Sequence, residues 1–440
     1  MRNNDEYYTK KNMIRKKYMR ITVRVFTSVL LIVGFIGLLI PLRPKVSDVE
    51  KRELTHFPKP TWETFTNGEF FSGISTWYAD TFPFRESLTS ANAKVKKLYG
   101  ITTEEIHGDA VQGDEIPDPD AELTSTPIPS ATPTPEPDAT IHDEPEKAGT
   151  IYVVDNRGFE IYGFSRDGAD GYINMINTAA TQLKDVATVY DILVPTSIAV
   201  NLDEENQKKI NSSSQEDTFA YVYGHLDPSI VQVPVLDVLK KHNSEYLYFK
   251  TDHHWTADGA YYAYQELMNA KGVTPSPLSA YTKTEFDGFV GTFYSYSDMS
   301  DTLKNNPDTV VAYTPSCNDM TYTDSKGEEH KWNVVADATD YSEGSKYYCF
   351  IGGDQPYSKI ENPNITDGSS CVVIKDSYGN AFVPFLVNSY QTVHVVDYRY
   401  YTGNLIDLVK ENNVQDVIYI NNANALIQSA VNNMNKILTQ

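Results

Sequence analysis

Residues 25–42 read VFTSVLLIVGFIGLLIPL, a run without a charged side chain. Wound as a helix at roughly 1.5 Å per residue it would reach about 27 Å, close to the hydrocarbon thickness of a bilayer. Such a run partitions the chain, because the segments on its two sides must fold in different compartments. Residues 1–24 hold eight basic side chains (Arg2, Lys10, Lys11, Arg15, Lys16, Lys17, Arg20 and Arg24) against Asp5 and Glu6, and positive charge beside a span stays on the cytoplasmic side. The expected arrangement is a single-pass protein of the cell membrane. A basic tail at 1–24 is cytoplasmic, a transmembrane helix covers 25–42, and the main domain is extracytoplasmic. A cleaved signal peptide is the competing reading. The apolar run is long for one, however, and the RPKVSD after it offers no small-x-small cleavage site.

Removing the tail's +6 from the formal net charge of −22 leaves −28 on the remainder. A surface that acidic repels phosphate backbones, which argues against nucleic acid as a partner. Residues 43–112 contain FTNGEFFSGISTWYADTF, whose aromatics recur near helical spacing, so a short helical stalk is expected next to the membrane. From 113 to 148 the chain turns to Pro, Thr, Ser and acid, as in TPIPSATPTPEPDAT. With little apolar area to bury, that segment predicts an extended, disordered linker.

From 149 to 440 strand-like and helix-like runs alternate. VATVYDILVP, YLYFK, CVVIK, TVHVVD and VQDVIYI read as strands, and TIYVVDNRGFEIYG as a hairpin. YINMINTAATQLKD, ADGAYYAYQELMNAKG and NLIDLVKENN read as helices. This order predicts an α/β domain with a mainly parallel sheet. The Tyr-, Ser- and Asp-rich stretch from about 281 to 346 reads as an insertion or a set of long loops. Cys317, Cys349 and Cys371 show no C-x-x-C spacing and are expected as buried thiols rather than a zinc site or redox pair.

TDHHWT, residues 251–256, falls directly after YLYFK, and Thr256 is a fitting N-cap for the next helix. Ligand sites of open α/β sheets lie at the C-terminal ends of strands. There Asp252 can accept a hydrogen bond from one nitrogen of His254 and leave the other as a base, while His253 points away and supports the pair. A base needs something to deprotonate. Ser377 follows the strand CVVIK and precedes an apolar segment starting near Gly379, a strand-turn-helix setting suited to a nucleophile. The expected triad is Ser377, His254 and Asp252. Competing readings are an Asp-His-His metal site, for which no companion set of aspartates is apparent, and core histidines beside a surface serine.

TDHHWT, VVIKDSYGNAFVPFL and VVDYRYY together resemble the DHHW protein family of bacteria, whose catalytic domain is similar to the SGNH-like domain of alginate O-acetyltransferases. The stalk segments EKRELTHFPKP and FFSGISTWYADTFPFRESL resemble the juxtamembrane region of the same proteins. The resemblance implies an SGNH-hydrolase-like three-layer domain that acts as an O-acetyltransferase or acetylesterase on a cell-surface polysaccharide. It assigns Asp252, His254 with Trp255 beside it, and Ser377, and calls for no metal and no organic cofactor. A membrane-bound O-acyltransferase is the implied acyl donor. Candidate oxyanion or substrate contacts are the backbone of Ser377, the backbone near Gly353, Trp255 and the guanidinium of Arg399, for which an ion pair with Asp397 is the competing role. The rival function is a non-catalytic envelope protein that binds a glycan or a protein partner.

Overall fold

The computed structural model describes residues 24–28, 43, 45–47, 52–66, 69–84, 104–108, 111–119, 121, 123 and 150–439. These form two compact units, one within residues 1–95 and one within 96–440. Among the described residues no helix is long and apolar enough to cross a membrane. Residues 24–28 are helical, and the rest of the span expected at 25–42 lies outside the described residues. In the first unit the expected stalk helix runs Glu69–Asp80, behind a shorter helix at Trp62–Thr66. The Asp80 carboxylate accepts from the amide and hydroxyl of Thr55 at 2.7 and 2.8 Å.

The second unit reaches back beyond the boundary read at residue 149. Strand β1 (Glu104–His107) pairs antiparallel with β2 (Ile151–Val154), which pairs with β3 (Arg157–Glu160). The β2–β3 hairpin turns on Asp155 and Asn156, both left-handed at φ of 50° and 64°, as a tight primed turn requires. The start of the expected linker also belongs to this unit. Val111, Ile116 and Leu123 pack against the core, and Asp114 donates its amide to Phe164 and accepts from the Arg166 amide. Proline and acid made this segment look disordered, yet its few apolar side chains are the ones that dock. Residues 124–148 lie outside the described residues.

The main sheet has eight strands. In chain order these are β4 (Thr188–Val194), β5 (Val231–Gln232), β8 (Asp319–Thr323), β9 (Glu329–Asn333), β10 (Tyr357–Glu361), β11 (Ser370–Lys375), β12 (Thr392–Asp397) and β13 (Asp416–Asn422). Across the sheet they run β9-β8-β10-β12-β11-β13-β4-β5. The five from β12 to β5 are parallel and the other three antiparallel. At the centre Val373 of β11 lies between Val395 of β12 and Ile418 of β13. Every residue of β11 and β13 is buried, as in a parallel sheet covered on both faces. Helix α1 (Arg166–Leu183) packs against α4 (Gln428–Thr439), and α2 (Ala257–Ala270) against α3 (Gly379–Leu386).

Three sequence expectations differ from the structure. YLYFK is not a strand of this sheet. Its backbone pairs locally through a Tyr248–Trp255 bridge, while Leu247, Tyr248 and Phe249 are fully buried; aromatic content mimicked a strand that tertiary packing, not sheet pairing, holds extended. The stretch 281–346 is not a mere set of loops either, since it supplies β8 and β9 and a separate antiparallel pair, β6 (Thr282–Phe289) with β7 (Asp308–Thr314). Helix α1 starts earlier than expected, at an N-cap on Ser165, and takes in Gly168, where any side chain would collide with the Leu426 backbone. All three cysteines are free and buried.

Candidate active site

The TDHHWT segment is the tip of a tight loop rooted on α2. The Thr256 amide donates to Leu247 at 2.8 Å and the Phe249 amide to His254 at 3.3 Å. The Thr256 hydroxyl caps α2 by accepting from the Gly259 amide. Asp308, at the start of β7, anchors the ascending side: its carboxylate accepts from the Tyr246 hydroxyl, the amides of Lys250 and Thr251, and the Thr251 hydroxyl at 2.6 Å. Sequence reasoning missed Asp308, because nothing local distinguishes it from other acids in a loop-rich stretch.

Within the tip, His254 Nδ1 lies 2.6 Å from Asp252 Oδ1, which also accepts the His254 amide at 3.0 Å. The other carboxylate oxygen accepts from the Thr292 amide at 2.8 Å and hydroxyl at 3.0 Å. Burial raises the Asp252 carboxyl, but the charges of His254 and His253 and these hydrogen bonds outweigh it and hold the group well below the ordinary carboxylate range. With Nδ1 facing the carboxylate, Nε2 is the His254 ring nitrogen turned away from Asp252. His253 Nδ1 bonds the Thr292 hydroxyl at 2.7 Å; with that hydroxyl donating to Asp252, the hydrogen belongs on His253 Nδ1. Gly291 lies so close that a Cβ there would overlap the Asp252 side chain. Gly291 and Thr292 sit in the stretch YTKTEFDGFVGTFYSYSDMS, of which Phe286, Phe289 and Phe293 are buried.

Ser377 sits in the turn between β11 and α3. Its hydroxyl is buried and has no hydrogen-bond partner among the described residues. Asp376 fixes the turn, one oxygen accepting from the Tyr378 amide at 2.9 Å and the other from the Asn422 amide and side chain at 2.8 and 2.7 Å. Two contacts tie this turn to the histidine loop directly, and a third does so through Tyr347. The Trp255 indole donates to the Tyr378 carbonyl at 2.9 Å, the Tyr378 hydroxyl donates to the His253 carbonyl, and the Tyr347 hydroxyl donates to the Ser377 carbonyl at 2.9 Å. Tyr347 also stacks on His254, ring centroids 4.0 Å apart and planes 14° from parallel, which fixes the imidazole plane. Its signal in the sequence, one tyrosine among 31, was too weak to find.

The remaining expected contacts are placed elsewhere. Trp255 is fully buried, so it positions the two loops and offers no face to a substrate. The Gly353 amide donates to Phe350 at 2.9 Å and is spent within its own left-handed turn. Arg399 directs Nε and Nη2 at Asp397 at 2.8 and 2.7 Å, and Nη2 at Asp354 at 3.0 Å. Lys375, two residues before Ser377, meets the same two carboxylates, and Asn380 donates to Asp354 at 2.8 Å. Arg399 thus shares Asp397 and Asp354 with Lys375, the ion-pair role that competed with an oxyanion contact. Asp252, His253 and His254 offer ligand atoms within 4.8 Å of one another, but His254 Nδ1 and both Asp252 oxygens already serve the hydrogen bonds described.

Comparison with known proteins decides the family. The family model described as DHHW protein matches residues 50–126 and 135–396. This chain belongs to the DHHW protein family. A DHHW family protein from Eubacterium siraeum shares 30% identity over 66% of this chain and 96% of its own, with a TM-score of 0.61. PatB1 of Bacillus cereus is similar at 24% identity over 64% of this chain and 98% of its own, TM-score 0.55, and has also been solved with a sulfonyl adduct. These likenesses extend the fold described above to solved relatives. Among curated protein sequences none matches this chain.

Proposed function

We propose that this DHHW protein is a serine-dependent O-acetyltransferase or acetylesterase that acts on a cell-surface polysaccharide, anchored by residues 25–42 with its main domain outside the cell. The observation that carries the proposal is the 2.6 Å bond from His254 Nδ1 to a buried, ionised Asp252, in a loop pinned to the turn of a buried serine hydroxyl. His254 Nε2 takes the Ser377 proton as Oγ attacks the acyl carbonyl, and Asp252 stabilises the imidazolium. Collapse of the tetrahedral intermediate breaks the donor's C–O bond, and the departing oxygen takes the proton back from His254. A sugar hydroxyl, or water in the esterase case, then repeats the cycle on the acyl-serine and carries the acyl group away. A membrane-bound O-acyltransferase is the proposed donor. Lys375 and Arg399 neutralise Asp354 and Asp397 beneath the turn, which leaves Ser377 in a rigid frame.

The test is hydrolysis of a chromogenic acetyl ester. Ser377→Ala should lower kcat by at least about a thousandfold with the fold intact. An unchanged rate would assign the turnover to another group. Absence of turnover in a folded wild-type chain that still binds glycan would favour a binding protein.

A further inference from the structure

Beside the catalytic loop lies a cleft of about 610 Å³, within the range of roughly 300–1,000 Å³ usual for small-ligand sites. The β2–β3 hairpin forms one wall, with Arg157, and Asn201, Asn206, Asn243, Ser244 and Tyr246 line the other. Arg157 is half-buried, and its side chain makes no hydrogen bond or ion pair with the described residues. Of the acids around it, three already have partners. Asp308 is held by Tyr246, Lys250 and Thr251; Asp203 accepts from the Asn206 amide and side chain; Glu245 accepts from His242 and the Tyr262 hydroxyl. Burial lowers the Arg157 pKa, with Tyr246 and Asp308 opposing, as for a cation short of a close counter-charge. A second observation is independent of the arginine. Asn201 Oδ1 is buried at the cleft and has no hydrogen-bond partner among the described residues, which is costly for a polar atom that nothing satisfies.

We infer that this cleft binds a carboxylate-bearing sugar unit of the acceptor polysaccharide. Arg157 takes the carboxylate through its fork, and Asn201, Asn243 and Ser244 meet the ring hydroxyls. A guanidinium in a site of amides and hydroxyls selects one planar anion amid many hydroxyls. The lining acids Asp155, Asp203 and Glu245 disfavour a polyanion packed more densely with charge. The cleft is also coupled to the catalytic loop. The Gly158 amide, next to Arg157, donates to the Lys250 carbonyl at 2.8 Å, two residues before Asp252. The inference rests on the acyl-transfer reading for its substrate class, and deepens it by naming the sugar.

Titration calorimetry on the full chain in detergent tests it, with trigalacturonate, its methyl ester and a sugar phosphate as probes. Wild type and Ser377→Ala should bind trigalacturonate alike, the methyl ester at least about tenfold more weakly, and Arg157→Gln should erase that preference. Equal affinity for acid and ester, unchanged binding by a folded Arg157→Gln, or tighter binding of the sugar phosphate would each overturn the inference. Where Arg157→Gln does not fold, the acid-ester comparison on wild type and Asn201→Ala decides. Arg157-dependent binding without any reactivity at Ser377 would sink the acyl-transfer reading alone. Reactivity at Ser377 without such binding would sink this inference alone.

Discussion

Asp252 and Asp191 are both buried carboxyls in the same domain, and their surroundings drive them to opposite states. Asp252 has both oxygens bonded, to His254 on one side and to Thr292 on the other, and stays ionised. Asp191, inside β4 opposite Tyr419 of β13, accepts one bond from the Tyr172 hydroxyl at 2.5 Å and has a second oxygen with no partner among the described residues. Burial pushes its pKa up to about 7 with only the tyrosine opposing. The lesson is that partners, not depth, decide the charge of a buried acid. An imidazole and two donors suit one carboxyl to the proposed role of holding an imidazolium, while the other is a poorly satisfied member of the core.

Three substitutions sharpen this contrast, from the largest effect to the smallest. Asp252→Asn keeps the size but removes the charge and lets His254 Nδ1 become the acceptor. Ester hydrolysis should fall about a thousandfold or more, with kcat bearing the loss. A tenfold loss or less would mean that the carboxylate only shapes the loop. Gly291→Ala leaves both partners in place and forces a Cβ into Asp252. Displacing the carboxylate by an ångström should cost about a hundredfold in kcat, and an unaffected rate would show that the Asp252 position is not critical.

Asp191→Asn should leave ester turnover unchanged and alter only the pH dependence of stability. The native state keeps the Asp191 proton up to about pH 7, whereas an unfolded chain releases it near pH 4. Native protein therefore binds more protons across that window, and this group makes stability fall as pH rises through it. The variant should match wild type near pH 4 and exceed it at pH 8 by a few kcal/mol, since each pH unit between the native and unfolded pKa values is worth about 1.4 kcal/mol. Denaturant melts at the two pH values check this, and an identical pH slope would refute the assignment. Asp252 acts in the opposite sense, its stabilisation being lost only as pH falls below the ordinary carboxylate range.

The same contrast explains what the sequence revealed. Strands β4, β11, β12 and β13 announce themselves as continuous apolar runs because both faces are covered, and the Thr256 cap and Gly272 mark the ends of α2. Asp252, His254 and Ser377 stand out because the proposed chemistry uses those residue types in sequence-local settings. Thr292, Gly291, Tyr347 and Asp308 do not, since each reaches the site across dozens of residues from stretches that read as loops. YLYFK misled for the converse reason: its composition is that of a strand, while its backbone bonds are those of a loop. Arg399 was legible as a charged residue near the site but not as the partner of Asp354, which is 45 positions away.

The most direct test of the central claim is intact-mass analysis of the folded chain after treatment with a sulfonyl fluoride. Activation of Ser377 by the Asp252–His254 pair predicts a single adduct that maps to Ser377 and disappears in His254→Ala. A folded wild-type chain that takes no adduct, or an adduct formed equally fast without His254, would contradict it.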